Sequence, residues 1–366
     1  MSRLVSLVIG SLEGLAGGTE QHLGCLAQGL PERGWDVDVS SVLPTAFVAG
    51  GGAPFPVEVL AKGGTRNWRL QSVAALRRRW LDRRPGAAVA FFDNAQFAAQ
   101  SAAAICQKIP VLAARRNLGV LRSGHSLLEI RMLDGGVSRF ICNSEAVRRD
   151  VLSREGVPAG KTLVLYNGVD LSRVAGAGWR ESRGIPGDAL LVVCVASHRP
   201  VKGVDFFLRA FAEAVRAAPQ ARAVLVGDGP ERPGLERLCR DLNIADRVLF
   251  EGANPDPRSI MAECQIGALG SRSEGFSTAV VEYMAAGLPS VLTDVGGNSE
   301  AVRDGREGFL VQSGDGGTFA VQLRRLFQDA PLREAMGRQA RLRAVQLFDR
   351  KLMLDRMAQI LFEVTQ

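Results

Sequence analysis

Short apolar runs alternate with longer amphipathic segments along the first half of the chain. Segments such as 20–32 and 68–83 repeat apolar residues three and four positions apart, which is typical of helices that bury one face. The apolar runs between them have the length of buried strands and fall at residues 4–9, 37–42, 87–92, 111–114 and 140–142. Strands that alternate with helices in this way predict a parallel sheet with helices on both faces.

The same alternation begins again after a break near residue 170. The turn sequence Asn167-Gly168-Val169-Asp170 precedes a segment rich in glycine, arginine and small residues that extends to Asp188. Beyond this break, the pattern predicts strands at 190–196, 223–226, 247–250, 266–269 and 290–292. Helices are expected at 202–217, 230–243 and 278–286, and helical spacing continues through the last ~50 residues.

The predicted fold class is therefore α/β, with two doubly wound Rossmann-like domains that face a cleft. We expect the first domain to span residues 1–168 and the second to span residues 169–350. The remaining residues, 351–366, are expected to form a helix that packs back on the first domain. A cleft at the carboxyl ends of parallel strands is a natural ligand site.

Composition agrees with two folded domains and adds a charge asymmetry. The chain has 366 residues, of which 46% are hydrophobic and 23% charged, so it can bury two cores. Residues 1–170 hold 20 Lys+Arg against 14 Asp+Glu, whereas residues 171–366 hold 25 against 24. A basic first half favours an anionic partner or a membrane surface, and scattered solvated arginines are the alternative. No basic-aromatic motif indicates nucleic-acid binding.

The cysteines, the histidines and the N-terminal residues further narrow the class of protein. The three histidines are far apart and lack the spacing of a zinc site. The apolar residues 4–9 are interpreted as a first strand rather than a signal peptide, and no run reaches the length of a membrane span. The cysteines form no C-x-x-C pair and lie in apolar stretches, which favours buried thiols in a reducing cytoplasm. They are Cys25, Cys106, Cys142, Cys194, Cys239 and Cys264.

Two glutamates around a predicted helix start are the strongest candidates for chemistry. Glu274 lies in a polar loop after the strand at 266–269, and a helix is expected from Thr278. This helix contains Glu282 and should end at Gly287, a residue type favoured just past a helix end. The N-terminus of a helix can bind an anion or sugar hydroxyls through its N–H groups and dipole. Two exposed glutamates without a function are the alternative.

The stretch from Ser271 to Pro289 resembles the donor motif of retaining GT-B glycosyltransferases of family 4. The resemblance includes two glutamates separated by seven residues, Gly-Phe-Ser after the first, and Ala-Ala-Gly-x-Pro after the second. It implies that Glu274 binds hydroxyls of the transferred sugar and that Glu282 binds the ribose. The backbone of Phe276 and Ser277, with the helix start at Thr278, would contact the sugar or the diphosphate.

Other stretches resemble the family in the same order along the chain. Lys202-Gly203 corresponds to a family lysine that stabilises the charge on the departing diphosphate. The family's arginine five or six residues earlier is absent, and either Arg199 or another basic residue is expected to replace it. Three further stretches correspond to loops around the donor; they are Gly17-Gly18-Thr19-Glu20, the turn containing Gly227, and Phe250-Glu251-Gly252.

The resemblance implies a retaining, metal-independent transfer of a hexosyl unit from a nucleoside diphosphate sugar to a hydroxyl acceptor. No cofactor is expected. The second domain would bind the donor and the first a glycan or lipid-linked acceptor, as in the synthesis of cell-surface polysaccharide. Arg116, just after the strand at 111–114, is the predicted acceptor-side or diphosphate contact. A nucleotide-sugar epimerase of the same fold, or a non-catalytic nucleotide-sugar-binding protein, are the alternatives.

Several residues have competing interpretations. Segment 68–84, with Arg77-Arg78-Arg79-Trp80, predicts either peripheral contact with anionic lipid on the inner face of the membrane or an ordinary helix. Asp36-Val37-Asp38 has the form of a metal-binding D-x-D, but strand alternation explains it better. Ser144 is expected to cap a helix. His22 and His125 are possible acceptor-side groups, although a single histidine is more often structural.

Overall fold

The computed structural model of the chain describes residues 3–15, 17–63, 67–105, 109–119, 134–171, 178–254 and 256–366. The chain divides into two compact units. Unit 1 comprises Met1–Gly168 together with Arg350–Gln366, and unit 2 comprises Val169–Asp349.

Unit 1 is built on a seven-stranded parallel sheet in the order β3-β2-β1-β4-β5-β6-β7. The chain moves outward from β1 to β2 and β3, then returns to the other side of β1 with β4. Every residue of β1 and β4 is buried, as expected for central strands covered on both faces. The strands are β1 Leu4–Ile9, β2 Asp36–Ser41, β3 Val57–Val59, β4 Ala87–Phe91, β5 Val111–Arg115, β6 Arg139–Cys142 and β7 Thr162–Val164.

The helices of unit 1 cross between these strands. One further helix, Arg350–Thr365, packs on Gly18–Gly29, where the absence of a side chain at Gly29 makes room for Leu354. The described α-helices are Gly18–Gly29, Ala46–Ala49, Trp68–Arg83, Asp93–Ile105, Glu145–Asp150 and Arg350–Thr365; Val151–Glu155 forms a π-helical turn. Short 3-10 turns lie at Pro31–Arg33 and Ala159–Lys161.

Unit 2 repeats the plan with a six-stranded parallel sheet in the order β10-β9-β8-β11-β12-β13. The strand order reverses between β8 and β11, and the carboxyl ends on either side of such a reversal form the usual ligand site of an open α/β sheet. The strands are β8 Leu190–Val195, β9 Ala221–Val226, β10 Val248–Gly252, β11 Ile266–Leu269, β12 Ser290–Thr293 and β13 Gly308–Val311.

The helices of unit 2 follow its strands and then continue to the end of the unit. The described α-helices are Trp179–Ser182, Val204–Ala214, Arg232–Asp241, Pro257–Met261, Thr278–Ala285, Asn298–Ala301, Gly316–Gln328 and Ala330–Leu347; 3-10 turns lie at Pro200–Lys202, Val215–Ala217 and Ala245–Arg247. Across the described part of the chain, no helix combines the length and the apolar character needed to cross a membrane.

The predicted α/β class with two doubly wound sheets is confirmed, and the ten predicted strands are present with ends that agree within two residues. Three strands were not predicted: β3, β7 and β13. β3 and β7 have three residues each, too few for a periodic pattern, and β13 is an edge strand of only four residues. The helix predicted at 202–217 is wrong at its start because Gly203, with φ +57°, separates a 3-10 turn from the α-helix that begins at Val204.

Candidate functional site

The carboxyl ends of β8 and β11 bring two of the predicted site residues together. Lys202 follows β8 and Glu274 follows β11, and the Lys202 Nζ lies 2.7 and 2.9 Å from the two carboxylate oxygens of Glu274. The hydroxyl of Ser271 donates a third hydrogen bond to Glu274 Oε1 at 2.7 Å. Glu274 is only 7% exposed, so the alternative of an exposed side chain is wrong for this residue.

Two glycines allow the loop that carries Lys202 to approach the loop that carries Glu274. Gly203 has φ +57°, and a Cβ at this position would overlap the carbonyl of Gly270. A Cβ on Gly270 would in turn lie 2.8 Å from the Gly203 carbonyl oxygen. The backbone after β8 therefore contacts the backbone after β11 directly, which is possible only without side chains at both positions. This contact places Lys202 within reach of Glu274.

The loop that carries Glu274 is also supported from β12. A Cβ on Gly296 would overlap the Glu274 carbonyl, and the Gly297 N–H donates to the Gly275 carbonyl at 3.0 Å. The Thr293 hydroxyl, at the end of β12, donates to the Ser271 carbonyl at 2.6 Å. The loop is thus held on both sides by neighbouring strand ends.

The helix Thr278–Ala285 begins directly after this loop. Ser277 caps it, its side chain accepting a hydrogen bond from the Val280 N–H. Phe276 is buried, with its ring 5.4 Å from that of Phe348. The helix ends before Gly287, which has φ +74°, so the predicted start and end are both confirmed.

Glu282 is the fifth residue of this helix and is buried. Burial raises the pKa of its carboxyl group to about 7; the positive charge of Arg258 opposes the shift and the negative charge of Asp256 adds to it. Glu282 therefore exchanges its proton near neutral pH, whereas an ordinary glutamate would be ionised. Among the described residues, no hydrogen bond joins its side chain to Glu274.

Gly227 and Gly252 shape the neighbouring strand ends. Gly227 has φ +133°, and a Cβ on it would overlap the carbonyl of Ala196 beyond β8. Its N–H donates to the Gly252 carbonyl at 2.7 Å, and Gly252 itself has φ +77°. Arg199 is exposed and starts the 3-10 turn that leads to Lys202. Its predicted role toward a diphosphate stays a prediction.

The predicted residues of unit 1 form a second group. Arg116 donates to the Gly18 carbonyl at 3.1 Å and to the Asn167 side-chain oxygen at 2.6 Å. Burial lowers the pKa of Arg116 to about 10, and the negative charge of Glu20 partly offsets this shift. Gly17 is exposed, and a side chain there would overlap the Glu20 carboxylate. Arg116 therefore ties the glycine loop to the turn at Asn167.

Arg115, which directly precedes Arg116 in sequence, does not share this position. Its guanidinium is buried and donates to Glu155 at 3.0 Å, Asp134 at 2.8 Å and Gln96 at 2.6 Å. Alternation along a strand explains the difference, since consecutive side chains at the end of β5 point to opposite faces.

Ser144, Asp38 and His22 each contact other residues of unit 1. Ser144 caps the helix Glu145–Asp150, as predicted, by accepting from the Val147 N–H at 3.0 Å. Asp38 is buried and receives two hydrogen bonds from Arg79, so its carboxylate is committed to an internal ion pair. Over the described ranges, no group of three or more His, Cys, Asp or Glu could hold a metal ion. His22 is buried against Phe91, and His125 lies outside the described residues.

The fold belongs to the GT-B type, with its two Rossmann-like sheets. The crystal structure of Anabaena HepE in complex with UDP has a TM-score of 0.86 at 24% identity and covers 99% of this chain and 100% of that one. Sucrose-phosphate synthase from Thermosynechococcus elongatus has a TM-score of 0.84 at 20% identity and covers 99% of both chains.

Family models account for most of the sequence. Residues 16–173 match the model of Glycosyltransferase Family 4, and residues 177–343 match that of Glycosyl transferases group 1. The chain therefore belongs to the glycosyltransferases that these two models describe, and the resemblance seen in the sequence is confirmed.

Curated relatives match part of the chain. A D-inositol 3-phosphate glycosyltransferase of Thermomonospora curvata is 34% identical over 55% of this chain and 51% of its own. An N-acetyl-alpha-D-glucosaminyl L-malate synthase of Bacillus anthracis is 35% identical over 44% of this chain and 42% of its own. The chain thus spans about half the length, or less, of these relatives.

The sequence assigned no role to three side chains that support the predicted site residues: Ser271 contacts Glu274, Asn167 contacts Arg116, and Thr293 contacts Ser271. Ser271 was part of the motif, and its position three residues before Glu274 was the one available signal. Thr293 and Asn167 offered none, because they are distant in sequence from the residues that they support.

We predict that Gly203→Ala destabilises unit 2 more than a comparable change elsewhere. The left-handed φ should cost roughly 1–2 kcal/mol, and the overlap with Gly270 should add about 1–3 kcal/mol. Gly305→Ala is the matched control, since Gly305 has φ +73° and a Cβ added there would meet no atom within 4 Å. Urea denaturation measures both free energies of unfolding. Equal losses for the two variants would contradict the close contact.

We also predict that Glu282 makes stability depend on pH. Its pKa is about 7 in the folded chain and 4.5 in a free glutamate, so folding retains a proton that the unfolded chain releases. The stability contributed by protonated Glu282 is fully present below about pH 4.5 and is lost as pH rises through about 7.

Glu282→Gln should remove this loss, which is on the order of 3 kcal/mol. Urea denaturation of both proteins from about pH 4.5 to 8 measures it. If the free energy of unfolding changes with pH to the same extent in both proteins, the raised pKa is wrong.

Proposed function

We propose that the chain is a nucleotide-sugar-dependent glycosyltransferase that moves a hexosyl unit to a hydroxyl acceptor. The observation that carries this proposal is the ion pair between the partly exposed Lys202 and the buried Glu274, held at the reversal of strand order in unit 2. Family membership supports a glycosyl transfer. The structural neighbours in complex with UDP and with UDP-glucose support a nucleoside diphosphate sugar as the donor.

In the proposed donor complex, Lys202 exchanges partners. Without a donor, its ammonium group neutralises Glu274; a donor diphosphate supplies a stronger anion and draws the ammonium away. Glu274 is then open to accept hydrogen bonds from hydroxyls of the transferred sugar, because a carboxylate accepts two such bonds at once. The start of the helix Thr278–Ala285 adds a positive dipole end at the same loop.

The chemical step follows from these positions. The bond between the sugar and the diphosphate breaks, and Lys202 stabilises the charge on the departing diphosphate. That diphosphate takes the proton of the acceptor hydroxyl, whose oxygen bonds to the sugar carbon on the same face, so the configuration is retained. Glu282 binds the ribose, Arg199 assists at the diphosphate, and no metal takes part. Arg116 and the loop at Gly17 and Gly18 serve the acceptor side or the diphosphate.

The first test changes the two charged partners separately. Glu274→Gln and Lys202→Met should each lower transfer by at least ~100-fold, because each removes a charged group from the developing transition state. Glu307→Gln is the matched control, since Glu307 is also buried and pairs with Arg303 away from these residues. All three variants are first checked for folding by circular dichroism.

Donor identity is measured by thermal shift against UDP-, GDP-, ADP- and dTDP-glucose, since a specific ligand raises the melting temperature. Release of nucleoside diphosphate is then followed with and without simple acceptor alcohols. Near-normal release by folded Glu274→Gln would contradict the donor site. Conversion of the donor to an isomeric nucleotide sugar without any acceptor would favour the epimerase, and binding without turnover would favour a binding protein.

We further propose that the acceptor is lipid-linked or a cell-surface glycan precursor, reached at the cytoplasmic face of a membrane. Leu70 and Leu81 expose 73% and 51% of their surface on the helix Trp68–Arg83, and both Arg77 and Arg78 are exposed. Leu70, Arg77 and Leu81 share one face by helical spacing. This face borders an open hollow of about 1020 Å³, which Lys62 also lines.

Exposed leucines flanked by arginines fit an anionic lipid surface, where the aliphatic groups enter the interface and the cations meet headgroups. Arg79 faces inward to Asp38, so the cations available to lipid on this helix are its outward ones. The five described cysteines form no disulfide, which supports a reducing compartment.

Arg77→Glu/Arg78→Glu should therefore reduce binding to vesicles of phosphatidylcholine and phosphatidylglycerol by about tenfold or more. Binding to pure phosphatidylcholine should be weak for the wild type and for both double variants. Arg237→Glu/Arg240→Glu, which reverses two exposed charges on a helix of unit 2, is the control. Co-sedimentation measures each affinity. Equal loss in both double variants, or no binding by the wild type, would contradict this surface.

A further inference from the structure

Glu274 has a second partner whose position differs from that of Lys202. Ser271 is fully buried, and its hydroxyl donates to Glu274 Oε1 at 2.7 Å. Lys202 reaches both carboxylate oxygens from a long flexible side chain that is about a third exposed. Ser271 instead belongs to the same loop as Glu274 and has a short side chain, so its bond can persist when Lys202 moves.

A second buried hydroxyl holds Ser271 in place. Thr293 is fully buried at the end of β12, and its Oγ1 donates to the Ser271 carbonyl at 2.6 Å. The side-chain amide of Asn298 in turn donates to the Thr293 carbonyl at 3.0 Å. A continuous set of buried hydrogen bonds therefore runs from the end of β12 to one oxygen of the Glu274 carboxylate.

We propose that Ser271 and Thr293 are positioning residues for Glu274. They hold Oε1, and so direct Oε2 toward the transferred sugar after Lys202 has turned to the diphosphate. This inference rests on the proposed function, in which Glu274 contacts the sugar. A carboxylate with several rotatable bonds would otherwise adopt several orientations once its ion pair opens, and binding would carry the entropic cost of selecting one.

The arrangement separates recognition of the sugar from recognition of the nucleotide. Loss of the Ser271 hydroxyl removes a buried hydrogen bond to a charged group and should weaken the contact with the sugar by about 10- to 100-fold. The nucleoside diphosphate does not meet Glu274 in the proposed complex, so its own affinity should change by less than about twofold. A general loss of structure would instead weaken the binding of both ligands.

The experiment compares Ser271→Ala with Ser290→Ala by calorimetric titration. Ser290 is also fully buried in unit 2, at the start of β12, and its hydroxyl has no hydrogen-bond partner among the described residues. The probes are UDP-, GDP-, ADP- and dTDP-glucose and the four corresponding diphosphates; the pair that the wild type binds is used for the variants. The measured quantity is the ratio of the dissociation constants of the diphosphate and of its glucose conjugate.

Ser271→Ala should lower this ratio by about tenfold or more, and Ser290→Ala should leave it unchanged. Thr293→Val, which keeps the shape but removes the hydroxyl, should lower the ratio in the same direction, and Thr293→Ser should restore it. In a Glu274→Gln background, Ser271→Ala should have little further effect, because both changes act through one contact. The two threonine variants keep the test available if Ser271→Ala does not fold.

The outcomes separate the two proposals. If the wild type binds none of the four diphosphates and none of their glucose conjugates, the proposed function fails and the inference fails with it. If the wild type binds a conjugate no more tightly than its diphosphate, Glu274 gains nothing from the sugar and the inference is overturned. If Ser271→Ala and Ser290→Ala, or Thr293→Val and Thr293→Ser, give the same ratio, the positioning role is wrong while the donor site stands.

Discussion

The direct backbone contact between Gly203 and Gly270 is the constraint on which the candidate donor site depends. Parallel strands already bring the ends of β8 and β11 to one edge of the sheet, but only at the spacing that the ladder sets. Two residues without side chains let the loops beyond those ends touch. The lysine that precedes Gly203 then reaches a carboxylate carried by the opposite loop, and a helix begins a few residues later.

The two buried glutamates of the site, Glu274 and Glu282, differ in the groups that contact their carboxyl groups. The carboxylate of Glu274 accepts hydrogen bonds from an ammonium group and a hydroxyl, and in the proposed function a donor diphosphate draws the ammonium group away. Glu282 has no hydrogen-bonded ion pair of this kind within the described ranges, and burial raises its pKa to about 7 instead. By contrast, buried Arg115 and Asp38 have close partners within unit 1. In the proposed function, Glu274 and Glu282 bind the donor, whereas the ion pairs of Arg115 and Asp38 stabilise unit 1.

The sequence predicted the layout of both sheets because a central strand and its following helix leave strong local periodic patterns. β1 and β11 were predicted without error, whereas the three-residue strands β3 and β7 have too few positions for a pattern. The helix after β8 was placed too early for a related reason. The left-handed conformation of Gly203 separates the 3-10 turn from the α-helix, and the amphipathic pattern around this glycine gives no sign of that conformation.

For the site, the contiguous motif from Ser271 to Pro289 made Glu274 and Glu282 recognisable, since the motif lies in one loop and one helix. Their surroundings depended on tertiary structure. The lysine and the glutamate of the ion pair are 72 residues apart, and Arg116 and Asn167 are 51 apart. Sequence alone thus determined the α/β fold, the family and the main candidates. Only the folded chain decided which hydroxyls, glycines and cations support them, because those contacts join separate strand ends that no local pattern connects.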